Sequence, residues 1–210
     1  MTRLASQDPA RRRELSQREA IFNVMQRLGG LIAGQVLHLD GPLQENSLRA
    51  ALDVLQHRFP RLCANTVYGG FRFTRELPFI WRRAYFDLDG TGVIPLRVVS
   101  DAEPADLDDI LQSELSTRVG GGRLPGMRVT LVQYRGGDTS DIVMVMNHAV
   151  ADLPAQSRFA NDLLRCLAGT LAADDDPPQP KLPPPLEDRY PLKPKPRDAS
   201  YLGAIRLPQE

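Results

Sequence analysis

The sequence predicts an α/β domain in which helices pack on a mixed β-sheet. Three observations carry that prediction. Leu48, Ala51, Leu52 and Leu55 recur at helical spacing within 44–58, and Leu107, Ile110, Leu111 and Leu115 do so within 104–118. Two apolar runs, Met127 to Tyr134 and Asp141 to Met146, flank the glycine-rich loop Arg135–Ser140 as a hairpin would. Glycine and proline pairs punctuate the chain between these segments, as turns require.

The elements follow in order. Residues 1–15 are polar and arginine-rich and read as a loose segment. Arg11, Arg12 and Arg13 read as a solvated, frayed end, with a nucleic-acid or lipid-headgroup role as the alternative. Ser16 and Glu19 have the spacing of a capping box, each side chain satisfying a free backbone N–H at a helix start. Ile21, Phe22, Val24 and Met25 then supply a turn or two of helix before Gly29-Gly30.

Leu31 to Leu39 reads as a strand closed by Asp40-Gly41-Pro42. The helix over 44–58 is capped by Asn46 or Ser47 and stopped by Pro60. Leu62 to Tyr68 reads as extended, Gly69-Gly70 as a turn, and Phe71 to Thr74 as an alternating strand. Phe79-Ile80-Trp81 continues an extended stretch, with Phe79 and Trp81 as core residues. Val93 to Val99 is a further strand, and Pro104 opens the next helix, which Gly120-Gly121-Gly122 ends. The run 141–146 is apolar after its first residue, so it is expected to be a central, buried strand. A helix from about Pro154 to Leu167 follows the loop after it, with Phe159, Leu163 and Leu167 on one face.

Residues 174–198 hold half of the chain's 18 prolines and read as a linker or tail, since such a stretch favours extended polyproline II. The expected organisation is a loose segment over 1–15, a domain over 16–172, and a proline-rich linker or tail over 173–210 that ends in the apolar patch Tyr201 to Ile205.

Composition narrows the function classes. The 26 basic and 26 acidic residues cancel, which argues against nucleic acid as the main partner, because phosphate binding needs a concentrated basic surface. No apolar run reaches the ~20 residues of a membrane span, and the first residues lack an apolar signal region, so a cytoplasmic location is expected. Cys63 and Cys166 lie in no metal-binding spacing and read as buried or half-buried thiols of a reducing compartment. His38 and His57 have no ligating neighbours at metal spacing, so no metal is expected.

The candidate site is His148. It directly follows the apolar strand, where a side chain faces the cleft at a sheet's end. A neutral imidazole there can take a proton from a hydroxyl, amine or thiol near neutral pH. Asp152, four residues on, is expected to bind backbone N–H groups or a basic partner and so fix the turn that aims His148. Arg128 is a further residue that could face the cleft.

The run Val143 to Ala155, with Asn147, His148 and Asp152, resembles the His-His-x-x-x-Asp-Gly signature of condensation domains, polyketide-associated acyltransferases, alcohol acetyltransferases and BAHD enzymes. Ser16 to Phe22 resembles the Leu-Ser-x-x-Glu opening of the polyketide-associated group. Gly34 to Leu43 and the helix ending Arg58-Phe59-Pro60-Arg61-Leu62 resemble its Leu-x-Gly strand and His-Pro-x-Leu helix end, with Phe59 in place of histidine. Leu124 to Val129 resembles the Pro-Leu-x-Arg strand. The ordered set covers about residues 15–170.

The resemblance implies a chloramphenicol-acetyltransferase-like half-domain of an acyltransferase. His148 would be the general base and Asp152 the holder of the motif's geometry, with Asn147 in the first, non-basic histidine position. No separate cofactor is implied. The donor would be an acyl thioester of CoA or a carrier protein, and the acceptor an alcohol or amine. Leu153 stands where the signature has glycine and is expected to narrow the channel or shift the turn. The family's enzymes have two similar halves with the active site between them, so the implied partner is a C-terminal half-domain, or a second copy through self-association. A non-catalytic remnant or interaction module that keeps the fold is the alternative.

Overall fold

The computed structural model describes residues 11–28, 30, 32–72, 81–88, 92–120, 124–171, 182 and 184–185. The expectations for Phe79, the Trp81 side chain, Gly121-Gly122, the Tyr201–Ile205 patch and most of the proline-rich stretch lie outside these residues. The elements are β1 (Arg12–Glu14), α1 (Gln17–Arg27), β2 (Ile32–Leu39), α2 (Glu45–Arg58), α3 (Pro60–Cys63), β3 (Asn65–Arg72) and β4 (Trp81–Asp87). They continue with β5 (Leu96–Ala102), α4 (Leu107–Ser116), β6 (Met127–Tyr134), β7 (Ser140–Asn147) and α5 (Leu153–Leu167).

The four-stranded sheet has the order β2-β7-β6-β5, with β5 and β6 parallel and the other pairs antiparallel, so the sheet is mixed. β7 is the inner strand expected of the 141–146 run, and all of its residues are buried. The β6–β7 hairpin turns through Gly136 and Gly137 at φ 96° and 76°, backbone that a side chain disfavours. Alternate residues of the two strands divide the core. Met127, Val129, Leu131, Ile142, Met144 and Met146 meet Leu48, Leu52 and Leu55 of α2 and Phe159 and Leu163 of α5. Val132, Val143 and Val145 meet Ile110 of α4 and Val119 on the opposite face. The molecule is thus α/β, with helices on both faces of a mixed sheet.

Beside it lies a second sheet that the sequence did not separate, of order β1-β4-β3. Its first strand corrects the reading of the N-terminal arginines as frayed. Arg12–Glu14 pairs with Tyr85–Asp87, and the Arg13 guanidinium pairs with Glu19, the arginine side chain being 14% exposed. The Gly69-Gly70 pair is a bulge within one continuous β3 rather than a turn, because the register shifts between Tyr68 and Phe71. A Cβ at Gly69 would come within 2.9 Å of the Tyr85 ring.

Other boundaries also differ. Gln44, not Asn46 or Ser47, precedes α2, and it makes no side-chain cap. Pro60 ends α2 and opens the one-turn α3, where a missing N–H costs nothing. Within the proline-rich stretch Leu182 packs into the main core at 8% exposure, so that stretch is anchored at this point.

Candidate active site

The site is the turn that joins β7 to α5. Asn147 ends the strand almost fully buried, and its backbone N–H donates to the Gly126 carbonyl (2.9 Å). Its side-chain oxygen accepts the Ala149 N–H (2.8 Å), and its carbonyl accepts the Val150 N–H (2.9 Å). Asparagine favours this short loop back to the chain two residues on. The chain therefore reverses over Asn147–Val150, and His148 sits at the reversal.

Two glycines make the turn fit. A Cβ at Gly126 would lie 2.8 Å from both Val150 methyls and 3.3 Å from the Leu62 carbonyl oxygen. Gly120, at φ +75°, lies against the Asn147 amide nitrogen, which is 3.5 Å from where its Cβ would stand.

His148 is half-buried. Its ring lies against Phe22 of α1, with centroids 4.9 Å apart and planes tilted by 35°. Its Nδ1 is buried and has no hydrogen-bond partner among the described residues. Asp152 does not reach the imidazole. It is exposed and caps α5, its Oδ1 accepting the Ala155 N–H (3.0 Å). Of the two roles expected for it, contact with backbone N–H groups is the one in this structure. Leu153 is the first residue of α5, is 70% exposed, and has no positive φ, so the turn here has no need of glycine.

Three residues that sequence reasoning did not assign to the site support this turn. Phe22 is one. Arg61 is another, its guanidinium Nη2 donating to the Ala149 carbonyl (2.9 Å) and to Glu19 Oε1 (2.5 Å). The third is Glu19, which also accepts two hydrogen bonds from Arg13 (2.8 and 2.9 Å) and one from the Ser16 N–H (2.8 Å). Burial raises the Glu19 pKa, but the Arg13 hydrogen bond, the Arg61 charge and the Ser16 N–H outweigh it and hold the carboxyl below its ordinary value. The capping-box spacing exposed Glu19 in the sequence, but nothing local revealed that Arg61 would reach the motif.

Arg128 does not serve the cleft. It is bound by Glu114, whose Oε2 accepts its Nε–H and whose carbonyl accepts Nη2–H (2.8 Å), fastening α4 to β6. The His38 ring is hydrogen-bonded to Asp141 (2.8 Å), which also takes the Tyr134 O–H (2.6 Å). His38 and Asp141 face each other across the β2–β7 ladder, toward the opposite end from Asn147, which pairs with Ile32. Neither cysteine is an activated nucleophile: burial pushes the Cys63 thiol up to about 12 and raises Cys166 as well. Among the described residues no three potential metal ligands come together, and no helix is long and apolar enough to cross a membrane.

No protein-family model matches the sequence, and no curated protein matches it. Solved structures do. The first condensation domain of the CDA synthetase is 18% identical, with a TM-score of 0.57, over 76% of this chain and 40% of that one. The condensation domain of the Monacolin K polyketide synthase MokA is 12% identical, with a TM-score of 0.59, over 77% of this chain and 35% of that one. SgcC5 from Streptomyces globisporus is 22% identical, with a TM-score of 0.50, over 74% of this chain and 32% of that one. This chain therefore spans about two-fifths or less of the length of these structures. It has the chloramphenicol-acetyltransferase-like fold of condensation domains, over a half-domain's extent of that fold.

Proposed function

We propose that this chain contributes the general-base half of a condensation-type acyl-transfer site, with His148 as the base. The observation that carries the reading is the placement of His148. It stands at the end of the buried inner strand of a condensation-domain fold, in a turn locked by Asn147 and followed by a helix capped by Asp152.

The chemistry follows from an imidazole in that place. His148 takes the proton of an alcohol or amine acceptor as its oxygen or nitrogen attacks the thioester carbonyl carbon. The tetrahedral adduct then collapses, the C–S bond breaks, and the thiolate takes the proton back from the imidazolium. The products are an ester or amide and a free thiol, and the base is regenerated. The thioester, of CoA or of a carrier protein, is a substrate, so this chemistry needs no separate cofactor. The SgcC5 structure is a complex with a naphthyl ethanediol, which supports an alcohol as one acceptor class.

The partner is a second half-domain that faces His148. Two observations support it. The chain covers 40% of the first CDA synthetase condensation domain. In addition, α1 is amphipathic in the inverse sense: Glu19, Asn23 and Gln26 are only 5–7% exposed, whereas Ile21, Met25 and Leu28 are exposed at 40%, 44% and 83%. An outward apolar ridge on the helix that carries Phe22 calls for apolar cover.

The test is turnover of an acyl thioester and an alcohol or amine by the chain together with a condensation-type second half-domain. His148→Ala is expected to remove about 10²–10⁴-fold of it, the range of general-base catalysis. Full activity in that variant excludes His148 as the base.

A further inference from the structure

We propose that Arg61 is a positioning residue for His148, acting through the carbonyl of Ala149 and anchored by Glu19; the proposal rests on the acyl-transfer reading only for its kinetic consequence. The imidazole has two supports. One is the Phe22 ring on α1, at 4.9 Å. The other is the turn, in which the carbonyl of the next residue, Ala149, accepts from Arg61 at 2.9 Å.

Both supports converge on one carboxylate. Glu19 lies one turn before Phe22 on α1, and its Oε1 accepts from the same Arg61 Nη2 that holds Ala149. Its four further contacts fix it in place: two from Arg13 of β1, and the reciprocal pair with Ser16 at the helix start. The Arg13 and Arg61 guanidinium carbons lie 5.3 and 5.4 Å from the ring centroid of Phe86, a fully buried core residue, so both side chains rest on the same ring. A single ionised carboxylate thus sets the distance between the α1 wall and the catalytic turn. Asp152 does not do this, since its carboxylate is used on Ala155.

The contact is more than packing because its acceptor belongs to the turn itself. A carbonyl held at one point fixes the Ala149–Val150 peptide plane, one peptide beyond His148, and together with the Ala149 N–H held by Asn147 restrains the backbone that aims the imidazole. A misplacement of about 1 Å at a reacting group can cost ~10²-fold in rate.

The experiment uses the full 210-residue chain with ¹³C-labelled histidine, whose three histidines give three ring signals. The His148 signal is assigned by its loss in His148→Gln. In Arg61→Met the His148 signal is expected to shift and broaden and its cross-peak to the Phe22 ring to fade, while the His38 and His57 signals stay. Arg61→Lys, which keeps the charge and a donor, is expected to restore both. An unchanged His148 signal and Phe22 cross-peak in Arg61→Met overturn the proposal. If that variant does not fold, Glu19→Gln keeps the shape and removes the anchoring charge, and the same pair of outcomes decides. With a complementing half-domain, kcat in Arg61→Met is expected to fall about 10²-fold at unchanged KM, and equal kcat overturns the positioning role. A shifted His148 signal in a chain whose wild type transfers no acyl group supports the positioning role and overturns the acyl-transfer reading instead.

Discussion

At the scale of single residues, small polar groups rather than bulky ones shape the motif turn. Asn147 closes it by accepting the Ala149 N–H, and Asp152 starts the next helix by accepting the Ala155 N–H. Asp152→Ala is expected to cost roughly 1 kcal/mol of stability, as loss of a helix cap does, and Asp152→Asn much less; chemical denaturation checks both. A larger loss that Asp152→Asn fails to relieve would show that the carboxylate has a charged role beyond capping. Glu19 makes a prediction about pH. Its folded-state pKa is lowered, so the unfolded chain binds its proton first on acidification. The stability that Glu19 contributes is present in full above its ordinary value of 4.5 and is lost as pH falls through the lowered folded value. Glu19→Gln is therefore expected to be less stable than wild type at neutral pH and to lose less on acidification. Parallel stability curves for the two proteins would contradict this.

At the scale of elements, backbone approach near the site matters as much as side chains. Gly126→Ala is expected to push the Val150 methyls outward and to destabilise by about 1–3 kcal/mol, the range for overpacking, with thermal unfolding as the measurement. The inner strand, the hairpin, α2 and α5 were legible in the sequence because their buried faces are apolar and periodic. The continuity of β3 through Gly69-Gly70 and the full length of α1 were not. Gly69-Gly70 carries the composition of a turn, and only the Tyr85 ring packed on Gly69 makes it a bulge. α1 runs 11 residues, and its length was hidden because its most buried residues are the polar Glu19, Asn23 and Gln26, with Ala20 and Phe22 only partly buried against the core and Ile21 and Met25 exposed, so it carries no apolar stripe at helical spacing. His148 and Asp152 stood out by their place after an apolar strand, and Asn147 through the resemblance to the condensation-domain signature. Phe22 and Arg61 did not, since they come from elements distant in sequence and meet the turn only in three dimensions.

At the scale of the whole molecule, a mixed sheet with helices on both faces presents His148, the proposed base, at the end of its inner strand. The outward ridge of Ile21, Met25 and Leu28 is where the proposed second half-domain would gain apolar contact. Met25→Lys with Leu28→Lys is expected to weaken that association by at least tenfold, as read by analytical ultracentrifugation of the mixed proteins, without lowering the thermal stability of the chain alone. Association unaffected by the pair of lysines would place the interface elsewhere, and self-association of the chain abolished by them would name a second copy as the occupant. The role of His148 is tested most directly by acyl transfer from a thioester to an alcohol or amine, measured with the complementing half-domain for wild type and His148→Ala side by side. Turnover is expected in the first and a fall of about 10²–10⁴-fold in the second; equal turnover in both, or none in wild type under complementation, would contradict a general base at this position.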